Sequence, residues 1–162
     1  MIVTLKNIRS LWNIGAIMRS CEFFGIKEIW LVGYTGREMA GRDELNHKIT
    51  KTALGAEKNL KIKFFRDTAS LLDRVTRLKL PLVAIEQHSK SIPLQIWQPR
   101  PNSVLVFGSE TGGVSAEALA AAAQIVEIPR LGQKNSLNVA TCAGIVIYQT
   151  ISVKLRYKII KS

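Results

Sequence analysis

The chain has 162 residues, 47% of them hydrophobic, and 23 lysines and arginines against 12 acidic residues give it a formal net charge of +11. This length and apolar content exclude a disordered chain and predict one ordinary domain with a full core. No apolar run approaches the ~20 residues that span a bilayer, and no signal peptide is recognisable, so a cytoplasmic protein without membrane association is expected.

The first third of the chain predicts a strand, a helix and a second strand. Residues 1–5 are β-branched and apolar, and residues 27–33 repeat this pattern. Between them, apolar residues recur at helical spacing in a helix that has Asn13 at its head and that Gly25 closes with a left-handed cap. Arg19 lies outside the apolar stripe and is predicted to point away from the core. Its purely structural role would be an ion pair with Glu22 at the solvent-exposed surface of the helix.

Predicted strands and helices also alternate through the rest of the chain. Residues 34–55 form a polar loop with a short helix, and the arginines and lysines of this loop make it a candidate contact for nucleic acid. Further strands are predicted at residues 61–65, 80–85, 103–107 and 124–128, and helices at residues 69–78, 116–123 and 139–157. The alternation predicts a single α/β domain over residues 1–162, with a mostly parallel six-stranded sheet flanked by helices and a basic tail at residues 154–161.

Ligands of an open parallel sheet bind beyond the C-terminal ends of its strands, and three loops are predicted to meet there. These loops follow Ile85, Phe107 and Ile128. The second loop, residues 108–113, is rich in glycine but matches neither GxGxxG nor GxxxxGKS/T, so it favours no nucleotide of those classes. Its single carboxylate, Glu110, has no partner carboxylate, which argues against paired acid–base hydrolysis.

Ser136 and Asn138 precede the last predicted helix. Side chains of this kind cap free backbone amides at a helix start, and the same amides attract an anion or a ligand oxygen. Each residue is therefore a candidate cap and a candidate ligand contact. Together with Asn13 and with Arg19, whose guanidinium has the fork geometry for a phosphate, they form a polar set suited to positioning a substrate.

The excess of positive charge predicts binding to polyanions, with RNA or DNA ahead of membranes, and a protein that is merely basic is the alternative. No RRM, KH or helix-turn-helix pattern is recognisable. Cys21 and Cys142 fall in apolar helical patterns and are predicted to be buried, reduced thiols. His47 and His88 are isolated in the sequence, so no metal site is expected.

Three stretches of the chain resemble the SpoU (TrmH-like) branch of the SPOUT RNA 2'-O-ribose methyltransferases, in their order and in their spacing. The first runs from Asn13 through Arg19 to Gly25 as NIGAIMRSCEFFG, and the second runs from residue 105 to residue 115 as LVFGSETGGVS. The third is IPRLG at residues 128–132 with SLNVA at residues 136–140. The resemblance implies a SPOUT α/β fold with a C-terminal trefoil knot, although true knots are essentially absent from other folds.

The same resemblance implies an S-adenosylmethionine-dependent enzyme that methylates a ribose 2'-hydroxyl of RNA as a homodimer, with the site near the subunit interface. Gly108, Ile128 and Leu137 match the cofactor-contacting positions of the family, and Ile85 is a further candidate. Arg19 matches the catalytic arginine, and Asn13, Glu110, Ser136 and Asn138 match the polar residues around it. The reaction is an in-line displacement at the sulfonium methyl, so catalysis is largely orientation plus removal of the hydroxyl proton.

Departures from the family pattern bear on the substrate. Glu110 is followed by Thr111 where many relatives carry a basic or bulky residue, and no separate RNA-binding domain is expected. Residues 84–91, AIEQHSKS, look closer to members that methylate the D-loop guanosine of tRNA, so tRNA is the expected substrate. Ribosomal RNA and a tRNA wobble nucleotide are the alternatives. From other classes, a catalytically inactive RNA-binding relative and a flavodoxin-like nucleotide-binding protein stay open.

Overall fold

The structure, a computed structural model, describes residues 1–38 and 42–160, with the helical backbone alone for residues 153–160. The strands are β1 (Ile2–Lys6), β2 (Glu28–Val32), β3 (Lys61–Phe65), β4 (Leu82–Ile85), β5 (Ile92–Pro93), β6 (Val104–Phe107) and β7 (Gln124–Glu127). The α-helices are α1 (Leu11–Phe23), α2 (Thr50–Ala53), α3 (Thr68–Arg77), α4 (Ala116–Ala121) and α5 (Val139–Ile160). The side chains of the predicted basic tail lie outside the described residues. No helix within the described ranges is long and apolar enough to cross a membrane.

All strands join one parallel sheet in the order β3-β2-β1-β6-β4-β7-β5, which confirms the predicted parallel α/β architecture. The sheet has seven strands, so the prediction of six is wrong by one. The missed strand is β5, which is two residues long and includes Pro93. Proline has no backbone N–H for a second neighbour, and β5 accordingly lies at the edge of the sheet.

Helices cover both faces of the sheet. In the central strand β6, Leu105 and Phe107 face the core shared with α1 and α5, whereas Val104 and Val106 face the core shared with α3 and α4. All four side chains are buried, which explains the unbroken apolar run that predicted a central strand. Because all strands are parallel, their C-terminal ends share one edge of the sheet.

Helix α1 begins at Leu11, two residues before the predicted head. Ser10 occupies the cap position, and its hydroxyl accepts a hydrogen bond from the backbone N–H of Asn13 at 3.2 Å. Asn13 therefore lies in the first turn with its side chain available for other partners. Gly25 has a φ of 76°, which confirms the left-handed residue predicted after the helix.

The loop after β2 is held by a buried arginine. The Arg37 side chain is only 6% exposed, forms an ion pair with Asp43 and lies 4.9 Å from the Phe64 ring centroid. Its Nε donates to the carbonyl of Gly33 at 2.8 Å, and its Nη2 donates to the carbonyl of Phe65 at 3.1 Å. Arg37 thus ties the loop to the ends of β2 and β3, and it is a structural residue rather than the nucleic-acid contact expected of this basic loop.

Candidate functional site

A cavity of about 510 Å³ opens at the C-terminal ends of β4, β6 and β7. Its volume lies within the range of ordinary small-molecule sites. All the residues predicted to contact a cofactor line it, namely Ile85, Gly108, Ile128 and Leu137. Two of the predicted polar residues, Glu110 and Ser136, line it as well. The three loops expected at this edge of the sheet therefore enclose one site.

The glycine loop after β6 folds back on itself. Ser109 and Gly113 exchange backbone hydrogen bonds of 3.2 and 3.0 Å. A Cβ on Gly108 would lie 1.9 Å from the carbonyl carbon of Gly113, so only glycine fits at this position. Gly113 has a φ of 60°, in the left-handed region that favours glycine. The loop is compact because both positions lack a side chain.

Glu86, which the sequence reasoning missed, anchors this loop to the end of β4. Its Oε2 accepts a hydrogen bond from the backbone N–H of Val114 at 2.8 Å, and its Oε1 accepts one from the N–H of Gln87 at 3.0 Å. Glu86 also lines the cavity. A carboxylate that directly follows a buried parallel strand was the available signal, because such a position always faces the ligand edge of the sheet.

Both cysteines are buried or nearly so, as the sequence predicts. Burial raises the pKa of Cys21 to about 12. Burial, and to a lesser degree the negative charge of Glu86, raises the pKa of Cys142 to about 11. Cys142 lines the cavity, where its thiol is neutral at physiological pH and behaves as a small apolar group.

A chain of hydrogen bonds joins the three family-like stretches at the cavity. Asn13 Nδ2 donates to Glu110 Oε1 at 3.0 Å, and Asn138 Nδ2 donates to Asn13 Oδ1 at 3.2 Å. Asn138 Oδ1 in turn accepts from the backbone N–H groups of Ala140 at 2.9 Å and of Thr141 at 3.2 Å. Asn138 is therefore both the cap of α5 and a part of the site.

The groups at the two ends of this hydrogen-bond chain determine which atom donates and which accepts in every bond. An ionised carboxylate only accepts and a backbone N–H only donates, so Glu110 and the first turn of α5 fix the orientation of both asparagine amides. Partial burial acts to raise the pKa of Glu110, but hydrogen bonds from its own backbone N–H, from Asn13 and from the N–H groups of Arg9 and Ser10 outweigh it and lower that pKa. Glu110 is accordingly ionised at neutral pH and serves to orient Asn13.

Ser136 does not occupy the capping position of α5. It is exposed on the cavity wall, and its hydroxyl bonds to no other residue that the structure describes. The cap of α5 is Asn138, two residues later. The hydroxyl of Ser136 is thus available to a ligand in the cavity.

Three predicted site residues do not line this cavity: Asn13 and Asn138 connect to its wall through Glu110, whereas Arg19 has no such connection among the described residues. It lies six residues after Asn13 on α1, about 9 Å further along the helix axis and about 120° around it. Arg19 is exposed, as predicted, and lines a separate depression of about 370 Å³ with Phe23 and Phe24. Within the described residues it forms no ion pair with Glu22, whose carboxylate instead accepts a hydrogen bond from Asn59.

An exposed apolar surface adjoins Arg19. We call Phe23, Phe24, Ile145 and Tyr148 the aromatic face. The rings of Phe23 and Phe24 lie 5.1 Å apart, and those of Phe24 and Tyr148 lie 5.8 Å apart. Phe23 is 77% exposed and Tyr148 is 59% exposed. Contiguous apolar side chains of this size at the surface mark a site of association.

Replacing Asn138 with alanine is expected to lower the free energy of unfolding by about 1 kcal/mol, because the first turn of α5 loses its cap. Asn138→Ser should keep most of that stability, since serine caps well but is too short to reach Asn13. Asp67→Ala removes the corresponding cap of α3, far along the chain, and is the matched control. Denaturant unfolding followed by circular dichroism measures all three. An unchanged midpoint for Asn138→Ala would contradict the capping role.

The family model for the SpoU rRNA methylase family matches residues 1–148. The chain is 27% identical over 159 residues to a tRNA (guanosine(18)-2'-O)-methyltransferase of Thermus thermophilus, covering 95% of this chain and 75% of that protein. It is also 27% identical over 147 residues to an uncharacterized tRNA/rRNA methyltransferase of Synechocystis, covering 91% of this chain but only 51% of that protein. The fold is similar, with a TM-score of 0.85 and 21% identity, to the SpoU methyltransferase AviRb from Streptomyces viridochromogenes in complex with AdoMet, covering 96% of this chain and 61% of that one.

Proposed function

Because the chain belongs to the SpoU rRNA methylase family, we propose that it transfers the methyl group of S-adenosylmethionine to a ribose 2'-hydroxyl of RNA, with tRNA as the substrate class. The observation that carries this proposal is the hydrogen-bond chain from Glu110 through Asn13 to Asn138 at the cavity. It joins residues from all three family-like stretches into one oriented polar group. Residues 1–162 then form a single catalytic domain.

The cavity suits the cofactor in its shape and its chemistry. Leu137 is 50% exposed on the cavity wall, where a bound purine or ribose would cover it together with Ile85 and Ile128. The glycine loop at Gly108 lets a ligand approach the backbone closely. S-adenosylmethionine supplies an electrophilic methyl group on a sulfonium centre, so the protein needs no metal ion to activate the donor.

The polar residues of the site supply orientation. Asn13 and Asn138 have fixed amide directions, and the free hydroxyl of Ser136 adds a further contact. Such residues hold the 2'-hydroxyl in line with the methyl group, and positioning of this kind is a large part of the rate of a two-substrate reaction. Arg19 is a permanent cation that pairs with the RNA phosphate next to the target. Its charge stabilises the negative charge that develops on the 2'-oxygen as this oxygen attacks the methyl group and its proton passes to solvent.

A homodimer accounts for the position of Arg19. The aromatic face is an exposed apolar cluster beside that residue, and a second copy that covers it would bury Phe23 and Tyr148. Arg19 lines a depression beside the same face and does not line the cavity of its own chain. We therefore place Arg19 of each subunit at the cavity of the other, so that the active site is complete only in the dimer.

Mass mapping of 2'-O-methylated nucleotides in total RNA from cells with and without the protein tests the function. We expect one methylated tRNA nucleotide to depend on the protein, and purified protein should transfer labelled methyl from S-adenosylmethionine to the unmodified tRNA. A methyl lost from ribosomal RNA with tRNA unchanged would overturn the substrate class. Calorimetry with S-adenosylmethionine separates an enzyme from an inactive RNA-binding relative, since only the enzyme needs the cofactor.

A further inference from the structure

A tyrosine and an arginine form an exposed pair beside the site, at the ends of β2 and β1. Arg9 Nε donates to Tyr34 Oη at 3.4 Å, and Tyr34 is 46% exposed. Both residues belong to the C-terminal edge of the sheet, because β1 pairs with β2 on one side and with β6, which precedes the glycine loop, on the other. Neither residue lies in the three family-like stretches.

The tyrosine ring is held in place by an unusual backbone. Tyr34 Oη donates to the carbonyl of Asn7 at 2.7 Å, and Asn7 has a φ of 55° in the left-handed region. The side chain of Asn7 packs against Gly33, where a Cβ would lie 2.0 Å from Asn7 Oδ1 and where φ is 70°. Asparagine adopts the left-handed region more readily than most other non-glycine residues, so this turn is stable. Here it presents an ordered aromatic ring to solvent.

The pair lies close to the polar chain of the site. The backbone N–H of Arg9 helps to lower the pKa of the Glu110 carboxyl group, and that carboxylate accepts a hydrogen bond from Asn13 at 3.0 Å. The pKa of the Arg9 guanidinium is raised, first by its hydrogen bond to Tyr34 and also by the negative charge of Glu110. The Tyr34 ring and the Arg9 cation are therefore exposed near the polar residues at which the target ribose would bind.

We propose that Tyr34 and Arg9 form a nucleotide platform, on which the base next to the methylated nucleotide stacks against Tyr34 while its phosphate pairs with Arg9. This proposal rests on the proposed function and names residues that position its RNA. An exposed aromatic ring beside an arginine is the combination that binds single-stranded RNA, because every base offers a π-face and every nucleotide a phosphate. A purely structural hydrogen bond would not require an exposed ring, and an exposed pair 3.4 Å apart contributes little to stability.

The experiment measures KM and Kd for unmodified tRNA in Tyr34→Ala, Tyr34→Phe and Arg9→Ala. Loss of one stacked base should raise KM for tRNA about 10-fold in Tyr34→Ala, with the Kd for S-adenosylmethionine unchanged. Tyr34→Phe keeps the ring and should stay within about threefold of wild type. Arg9→Ala should also weaken RNA binding and reduce the slope of log Kd against log salt by about one. Arg74→Ala, on α3, removes an arginine that faces another part of the surface and is the matched control.

The possible results test the nucleotide platform and the proposed function separately. If the wild-type protein neither methylates RNA nor binds S-adenosylmethionine, the proposed function fails, whereas a normal wild type with an unchanged KM in Tyr34→Ala overturns the platform alone. Equal losses in Tyr34→Ala and Tyr34→Phe, accompanied by a lower melting temperature, would show that Tyr34 only holds the Asn7 turn, and would also overturn it.

Discussion

Replacing Arg19 with alanine should slow methyl transfer at least ~100-fold while the Kd for S-adenosylmethionine stays within about twofold of wild type. The reason is the role proposed for Arg19, which pairs with the RNA phosphate and not with the cofactor. Within its own chain Arg19 does not line the cavity, so its loss removes no cofactor contact there either. Single-turnover rates with tRNA and calorimetry with S-adenosylmethionine measure the two quantities. Arg19→Lys keeps the charge but loses the planar fork, and it should recover only part of the rate.

Subunit mixing tests where Arg19 acts in the proposed homodimer. In such a dimer, co-expression of an Arg19→Ala subunit with an Asn138→Ala subunit, each with its own purification tag, should yield mixed dimers. If Arg19 serves the partner's cavity, one site of the mixed dimer carries both changes and the other carries neither, so about half of the wild-type activity returns. If it serves its own cavity, both sites carry one change and the mixed dimer is as inactive as its parents. Full activity of the Arg19→Ala homodimer would remove the residue from the mechanism.

Gly108→Ala should raise the Kd for S-adenosylmethionine by at least ~10-fold and lower the melting temperature by several degrees. The added Cβ would lie 1.9 Å from the carbonyl carbon of Gly113 and 2.2 Å from the nitrogen of Val114, both of which are backbone atoms that cannot rotate away. Overpacking of this kind costs about 1–3 kcal/mol, and the loop that lines the cavity must shift to relieve it. Calorimetry and thermal unfolding measure the two effects.

Gly144→Ala is the matched control for that substitution. Gly144 lies in α5, where an added Cβ would meet only Ser20 Oγ at 3.9 Å, an ordinary contact. Alanine is also the better helix former, so this variant should be at least as stable as wild type and should bind the cofactor normally. Normal binding in both variants would show that the glycine loop does not depend on the absence of a side chain at Gly108.

Most of the fold was predicted from two local signals, the spacing of apolar residues along the chain and the side chains that cap helices. The strand at residues 61–65 and the helix after it are confirmed, because a β-branched or aromatic run and a side-chain oxygen at a helix start, here Asp67, are local signals. The start of α1 was misplaced because Ser10 and Asn13 are both cap formers, and only the fold shows which of them bonds to a free amide. The strand β5 has no local signal at all, since its two residues are held by pairing with β7.

The candidate site was predictable in its members but not in its connections. That the loops after Ile85, Phe107 and Ile128 meet at one cavity follows from the parallel sheet, whereas the resemblance indicated Gly108 and Leu137 as residues that line it. The anchoring role of Glu86 and the double role of Asn138 depend on distances between segments far apart in the chain, which no local pattern contains. The trefoil knot, the homodimer and the RNA contacts of residues 34–55 remain predictions from the resemblance and from the charge.

The hydrogen bond between Asn138 and Asn13 also bears on the stage of folding at which the site forms. It joins residues 125 positions apart, and the bond from Asn13 to Glu110 spans 97 positions. Contacts of such separation must overcome loop-closure entropy before they stabilise anything, and they form late in folding. During synthesis the N-terminal segments emerge first, so Asn13 has no partner for these bonds until residues 110 and 138 have been synthesised. A chain that ends before Asn138 therefore lacks the hydrogen-bond chain of the site.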